Sequence, residues 1–505
     1  MRAKLLGAAM AAIVTGASSY ALAADTLRIA HYDNPAQFGM PYGTFGANGA
    51  YQLYAFFDGV TFVDGERNTN PQLATEWRST GANTWEIKLR QGVTFHDGTP
   101  WNADAFVANI DAVKNDPVVS KQQAARQINS VASAKKIDDY TVEVTTSFTD
   151  PILMRTLHIM RPHSPKAWAD LGADKFGRNP VGTGSYKIVS WEPDRVKGTA
   201  YENAWRKPKI QNLDIVVVPE VPGRVQALNS GQVDIAWSVD ADSIPQIEAN
   251  GNKVAINTSN DTLNLILLHT KPGPLADVRV RQALNYAYDK EAFVQTVLRS
   301  TAIATGQPAA SPMSGYFADI KPYPYDPEKA KQLLAEAGFA NGFDFKAEIV
   351  TSTGEFKDTM QAMANDFKRV GVNMELSNIA VPDFVQKVLR IKQWEGDAFS
   401  MMYEGHPSAD IARVMGTHSC LVQEFSNREP HTCFPKLNPT LKAMMSELDP
   451  AKRDALMRQV AQYYHDNAPI VFSHERTRVD GLSPKVMNYK LINRVINYHE
   501  IELAN

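Results

Sequence analysis

The sequence predicts an α/β protein built from two or three domains, and three observations carry that expectation. Strand-like runs alternate with helices that have recognisable caps, the pattern of layered α/β lobes. The chain has 505 residues, too many for a single core. Its 44% apolar and 9% aromatic content is that of an ordinary globular protein, with no low-complexity stretch and no internal repeat.

The elements follow in order. Residues 26–30 read as a short strand. Residues 83–90 alternate as a half-buried strand does. Residues 214–218 hold the apolar run Ile215, Val216, Val217 and Val218, which predicts a strand buried on both faces, and residues 263–268 are similar. Asp277 is placed to cap a helix with Val280, Ala283, Leu284 and Ala287 inward. Asp326-Pro327-Glu328 starts another, with Leu333, Leu334 and Ala337 inside and Gly338 ending it. Asp449-Pro450 opens a third, with Leu456, Val460 and Tyr463 inward.

The chain begins with an export signal. Met1-Arg2-Ala3-Lys4 gives a positive start, residues 5–17 are apolar or small, and Ala21-Leu22-Ala23 offers a cleavage site after about Ala23. The run is too short to span a bilayer, no cysteine follows for a lipid anchor, and no later stretch reaches about 20 apolar residues. A soluble mature chain in a Gram-negative periplasm is expected. With 52 Lys+Arg against 55 Asp+Glu and no basic block, nucleic acid is not an expected partner.

Two cysteines, Cys420 and Cys433, lie close together late in the chain. In an oxidising compartment a disulfide is the preferred reading. The alternative is zinc, because His418 and His431 make two H-x-C units with the cysteines.

Four stretches say more. They are LATEW at 73–77 with WEIKLRQGVTFHDGTPWNA at 85–103; PVGTGSYK at 180–187; ALNSGQVDI at 227–235; and DVRVRQALNYA at 277–287 with YDPEKA at 325–330. Locally they read as scaffold. Gly182 and Gly184 allow backbone conformations that a side chain would forbid, ahead of a strand and not of a phosphate-binding helix. His96-Asp97-Gly98 reads as a hairpin turn. The same series resembles the peptide- and nickel-binding family 5 of periplasmic solute-binding proteins of ABC importers, in order and over nearly the whole mature chain.

The resemblance implies a two-lobed periplasmic binding protein fold (type II, cluster C-like) with an extra subdomain, closing by a hinge around its ligand. Lobe I would hold residues 24–260 and 475–505 with the subdomain at about 71–178, and lobe II residues 261–474. It further implies a monomer without catalytic residues or cofactors, whose partners are a small solute and a membrane permease. In peptide receptors of this family, the segment before the cysteine loop carries an aromatic residue and acids that grip the peptide amine. Here it reads MMYEGHPSAD at 401–410, so Tyr403 takes the aromatic place and His406 the acid's, with Glu404 and Asp410 nearby. An imidazole does not replace a carboxylate as an ammonium anchor. The stretch MRPHSP at 160–165 resembles the nickel-chelate receptors, where the arginine matching Arg161 holds a ligand carboxylate; a surface salt bridge is its plainer alternative. His163 is a weaker candidate that would otherwise pack as a partly buried residue. His406 or His418 would touch a metal only as part of a bound chelate.

The expected cargo is therefore a small anionic or zwitterionic solute such as a metal chelate or an opine-like conjugate, with a di- or oligopeptide as the alternative. A secreted hydrolase using His96 and Asp97 is remote, because neither G-x-S-x-G nor H-E-x-x-H occurs. A sensor delivering its ligand to another membrane partner stays open.

Overall fold

The computed structural model describes residues 26–35, 37–43, 47–267, 272–350, 354–384, 386–387, 395–405, 408–422, 430, 432–493 and 495–504. The export signal, His406 and His431 lie outside the described residues.

Among the described residues, an 11-stranded sheet joins the N-terminal and C-terminal halves. At its N-terminal end, strand Thr26–His31 pairs in parallel with Asn212–Val217 and Ile235–Val239. Arg195–Ala200 and Tyr186–Glu192 extend that edge antiparallel. At the other end Phe343–Val350 lies in parallel between Val372–Ile379 and Ala398–Glu404. Two long antiparallel strands, Lys253–Leu267 and Ile470–Leu482, join the halves. A 15-residue strand extends about 50 Å, long enough to belong to both lobes of the fold. Their pairing shifts register twice, between Thr258 and Asp261 and between Leu263 and Asn264. The expected lobe boundaries at 260/261 and 474/475 fall inside these two strands.

A separate four-stranded sheet orders Ala74–Gly81, Thr84–Leu89, Thr141–Thr146 and Val131–Asp138. Helix Ala103–Asn115 packs on it, capped by Asn102, whose Oδ1 accepts from the Ala105 amide at 3.0 Å. Trp101, Phe106, Ile110, Trp85 and Ile87 fill the core between them.

The helix caps form as the sequence predicts. Asp277 accepts from the Arg279 amide, Asp326 from that of Lys329, and Asp449 from those of Ala451 and Lys452. Gly338 ends its helix at φ +90°. Three readings need correction. In Pro450–Asn467 the buried stripe is Arg453, Met457, Val460, Ala461 and Tyr464, with Leu456 and Tyr463 only half-buried. The helix is rotated to bring Arg453 inside, for a reason given below. In Asn212–Val217, Leu213 and Ile215 are buried while Val216 and Val217 are half-buried, so one face is only partly covered. Gly182 and Gly184 are required by proximity and not by unusual torsions: a Cβ on Gly182 would sit 2.2 Å from the Phe56 oxygen, and one on Gly184 2.4 Å from the Phe56 carbonyl carbon.

The halves also touch away from the shared strands. Arg67, beside the strand Thr69–Pro71, donates from Nη1 to the Met313 oxygen at 2.9 Å. Arg155 donates to the Ala409 oxygen at 3.4 Å, and Val63 packs beside Ala309 and Met313. Among the described residues no helix is long and apolar enough to cross a membrane.

Candidate functional site

The candidates read from the sequence fall into two buried groups. Arg161 is fully buried, so it is not a surface ion pair. Its Nε donates to the Pro41 oxygen at 2.7 Å and its guanidinium lies 5.5 Å from the centre of the Tyr54 ring. Burial lowers its pKa, partly offset by the phenols of Tyr54 and Tyr42. His163 packs its ring among Trp168, Phe176 and Tyr42, and burial pushes its pKa down to about 4. A neutral imidazole held by aromatic rings is a packing element.

The second group lies in the C-terminal half. Strand Ala398–Glu404 turns Tyr403 into the core, where its ring stacks on His418 at 4.4 Å, while Glu404 is half-buried. Asp410 caps helix Ile411–His418 through the Ala412 amide. It also takes Arg453 bidentately at 2.8 and 2.8 Å, with the aspartate wholly buried. Burial opposes its charge, but Arg453 keeps the carboxyl below the usual range. This pair is why Arg453 faces inward. Cys420 and Cys433 are joined in a disulfide that ties the end of that helix to Thr432, whose amide donates to the His418 oxygen at 3.0 Å. Zinc ligation by those thiols is thereby ruled out.

The hydrolase pair is also resolved. His96 and Asp97 form the expected turn, with Gly98 at φ +82°. His96 Nε2 meets the Gly184 oxygen at 2.9 Å, while Asp97 accepts from Ser164 Oγ at 2.6 Å. The histidine and aspartate therefore serve different partners.

A charged row on the shared strand Ile470–Leu482 was not singled out from the sequence. Beyond the register shift at Phe472/His474, His474, Arg476, Arg478 and Asp480 occupy alternate positions. The first two face the C-terminal half. His474 Nε2 lies 2.8 Å from Glu355, and Arg476 Nε donates to both Glu355 oxygens at 3.1 Å. Burial opposes ionisation of Glu355, yet Arg476 and His474 pull it down to about 2, so it is a carboxylate at neutral pH.

The other two face the N-terminal half. Arg478 lies 4.1 Å from the centre of the Tyr51 ring and 5.7 Å from that of Trp237. Asp480 accepts its Nε at 2.7 Å. His31, at the C-terminal end of the first strand, sets its ring 4.9 Å from Trp237, and burial beside Arg478 lowers its pKa to about 3. Strand ends of this kind are where α/β sheets place ligands. Next to this group, a cleft of about 400 Å³ is lined from both halves, by Arg67, Asn257 and Tyr489 on one side and Pro312 and Ala409 on the other.

With this geometry in hand, comparison with known proteins decides the family. Residues 68–413 match the bacterial extracellular solute-binding proteins, family 5 (middle region). This chain belongs to that family. The family 5 assignment is accompanied by curated relatives: heme-binding protein A of Haemophilus influenzae, 27% identical over 85% of this chain and 83% of its own, and the dipeptide-binding protein of Escherichia coli, 25% identical over 85% of each. Among solved structures, HbpA2 of Haemophilus parasuis superposes with a TM-score of 0.83 at 22% identity, over 95% of this chain and all of its own. The two-lobed binding-protein fold is thus established. The chain is a solute-binding component of the ABC-importer type, made to carry a small ligand to a permease.

Sequence signals for the missed row were present but easily passed over. Charged residues at every second place, following the apolar Ile470-Val471-Phe472, mark a strand whose one face carries charge where the preceding residues are apolar.

Proposed function

We propose that this family 5 protein works in the periplasm, released from its signal after about Ala23, as a monomer that captures a small anionic or zwitterionic solute without changing it chemically. The lobes would be residues 24–260 with 475–505 and residues 261–474, the subdomain at about 71–178 belonging to the first. The two long shared strands would act as the hinge. One observation carries the reading: a single strand sets His474 and Arg476 against one lobe and Arg478 and Asp480 against the other. Charge recognition would thus sit where the lobes meet, and a ligand bridging them would favour the closed form that a permease recognises.

Relatives named for heme and for dipeptides support an acidic cargo, since both ligands carry carboxylates. The dipeptide relative favours the peptide alternative equally. Arg161, His163, Tyr403 and Asp410 would shape the walls from behind, leaving Glu404 and His406 as the candidates for direct contact. A metal would arrive only inside a chelate, with His406 or His418 reaching it.

Native mass spectrometry of protein released gently from the periplasm tests this. The expected result is retained cargo: a transition-metal isotope pattern would mean a chelate, a discrete metal-free mass an acidic conjugate, and a ladder of short masses peptides. A protein that holds no excess mass, and whose melting responds to no amino acid, peptide or chelate, would end the transport reading.

A further inference from the structure

Arg478 is a buried arginine whose hydrogen bonding is incomplete. It is 9% exposed and Asp480 is 0% exposed. Its Nε is taken by Asp480 Oδ1, but Nη1 and Nη2 are buried with no hydrogen-bond partner among the described residues. The neighbouring carboxylate cannot supply what is missing. Asp480 accepts from the Ser238 amide at 2.8 Å, Asn257 Nδ2 at 3.0 Å, Tyr489 Oη at 2.9 Å and Arg478 Nε, which uses the four acceptor positions of a carboxylate. Trp237 Nε1 donates to Tyr489 Oη at 3.0 Å and locks the far side. The ring of Tyr51 lies close to the guanidinium. The guanidinium is therefore held on one edge and beside one face, while its outer fork is left unmet.

Such a fork matches a carboxylate in shape and charge, and a buried charged donor without an acceptor is strongly disfavoured. His31 Nε2, beside the rings of Tyr51 and Trp237, is also buried with no hydrogen-bond partner among the described residues. Asn257 and Tyr489, which hold Asp480, also line the cleft between the halves.

We infer that Arg478 is the anion anchor of the site, its Nη1–Nη2 fork taking a carboxylate of the cargo from the N-terminal lobe. The inference rests on the proposed transport function and narrows it. The cargo must carry a carboxylate, and a neutral or purely cationic solute is excluded. Asp480 is a positioning residue that aims the fork. Arg476 differs, because Glu355 already engages its Nε.

The test uses the mature protein stripped of cargo, as wild type, Arg478→Met and Arg478→Lys. Glutathione and the dipeptide Ala-Phe are titrated calorimetrically beside their capped forms, glutathione diethyl ester and Ala-Phe amide. Native mass spectrometry reads the cargo each protein retains from the cell. The acidic probe that binds, or the retained cargo, should bind Arg478→Met about ten- to a hundredfold more weakly. The capped forms should bind wild type weakly and be indifferent to the substitution. Arg478→Lys keeps the charge beside Asp480 but not the fork, so it should melt like wild type and still bind at least about tenfold more weakly. That variant decides the matter if Arg478→Met fails to fold. Equal affinity of wild type and Arg478→Lys for an acidic ligand would overturn the anchor while leaving the transport reading intact. Failure of wild type to hold any mass or bind any probe would overturn that reading, and the anchor with it.

Discussion

Asp410 with Arg453, on helices of the C-terminal half, and Asp480 with Arg478, on a central strand of the shared sheet, are two buried carboxylate–guanidinium pairs that differ in how completely they are satisfied. Arg453 gives Nη1 and Nη2 to Asp410 and its Nε to the Met444 oxygen. Asp410 in turn caps a helix. Each charge in that pair is used within the fold. Arg478 gives Asp480 only its Nε and keeps the fork that Arg453 spends. The desolvation problem is the same in both places. The lesson is that a buried ion pair reports structure when its valences close and a missing partner when they do not.

The largest test of this contrast is to break the closed pair. Arg453→Met leaves Asp410 buried and uncompensated and should cost about 3–5 kcal/mol of stability. Chemical denaturation measures it, and ligand affinity in the folded fraction should be unchanged. A loss below about 1 kcal/mol would mean that water already satisfies Asp410, removing the distinction. Arg478→Lys, which keeps a charge beside Asp480 but not the fork, should reverse the balance, with a small change in melting and a loss of at least about tenfold in binding.

The disulfide sharpens the same comparison, because Cys420–Cys433 braces the helix that Asp410 caps. Replacing both cysteines by serine frees a loop with a separation of 13 and should cost about 3 kcal/mol, read as a lower denaturation midpoint.

A third ionisable side chain of the shared strand Ile470–Leu482 is Glu475, close to Arg478 in sequence. Both of its oxygens are buried without a side-chain partner among the described residues, and burial raises its pKa to about 8 despite the Ser311 amide. The folded state therefore keeps a proton that the unfolded chain, with a carboxyl near its ordinary 4.5, has released. Stability should fall as pH rises from about 4.5 to about 8 and level off beyond. Glu475→Gln should flatten that slope in melting curves taken across the range. An unchanged slope would show that Glu475 ionises freely.

The smallest effect belongs to a satisfied pair nearer the surface. Ser164 caps helix Pro165–Phe176 through the Ala167 amide at 3.1 Å and donates to Asp97. Ser164→Ala should lower stability by about 1 kcal/mol. Ligand binding should not respond, whereas a hydrolase using this serine would lose activity.

Much of the fold could be read from residues that act locally. Asp277, Asp326 and Asp449 each cap the helix expected of them, and the strand expected at 83–90 and the turn at 96–98 both form. The inward face of Pro450–Asn467 could not be read the same way, because it depends on Asp410 awaiting Arg453 from another element. Gly182 and Gly184 were recognised as necessary, but the reason, the Phe56 backbone pressed against them, lies outside their own segment. The candidate site was least legible. Arg161, His163 and Tyr403 were chosen by motif position, and the fold buries each among aromatic rings.

The sequence alone determined the family, the alternation of strands and helices, the caps and the cysteine pair, because each rests on short-range chemistry or on motif order. Only the tertiary structure decided which partners each charge of the shared strand meets. A strand presents alternate residues to opposite faces, so each irregularity in pairing reassigns every side chain beyond it. The shifts along Lys253–Leu267 and Ile470–Leu482 make that assignment, and they set Arg478 against Tyr51 and Trp237, which come from distant parts of the chain.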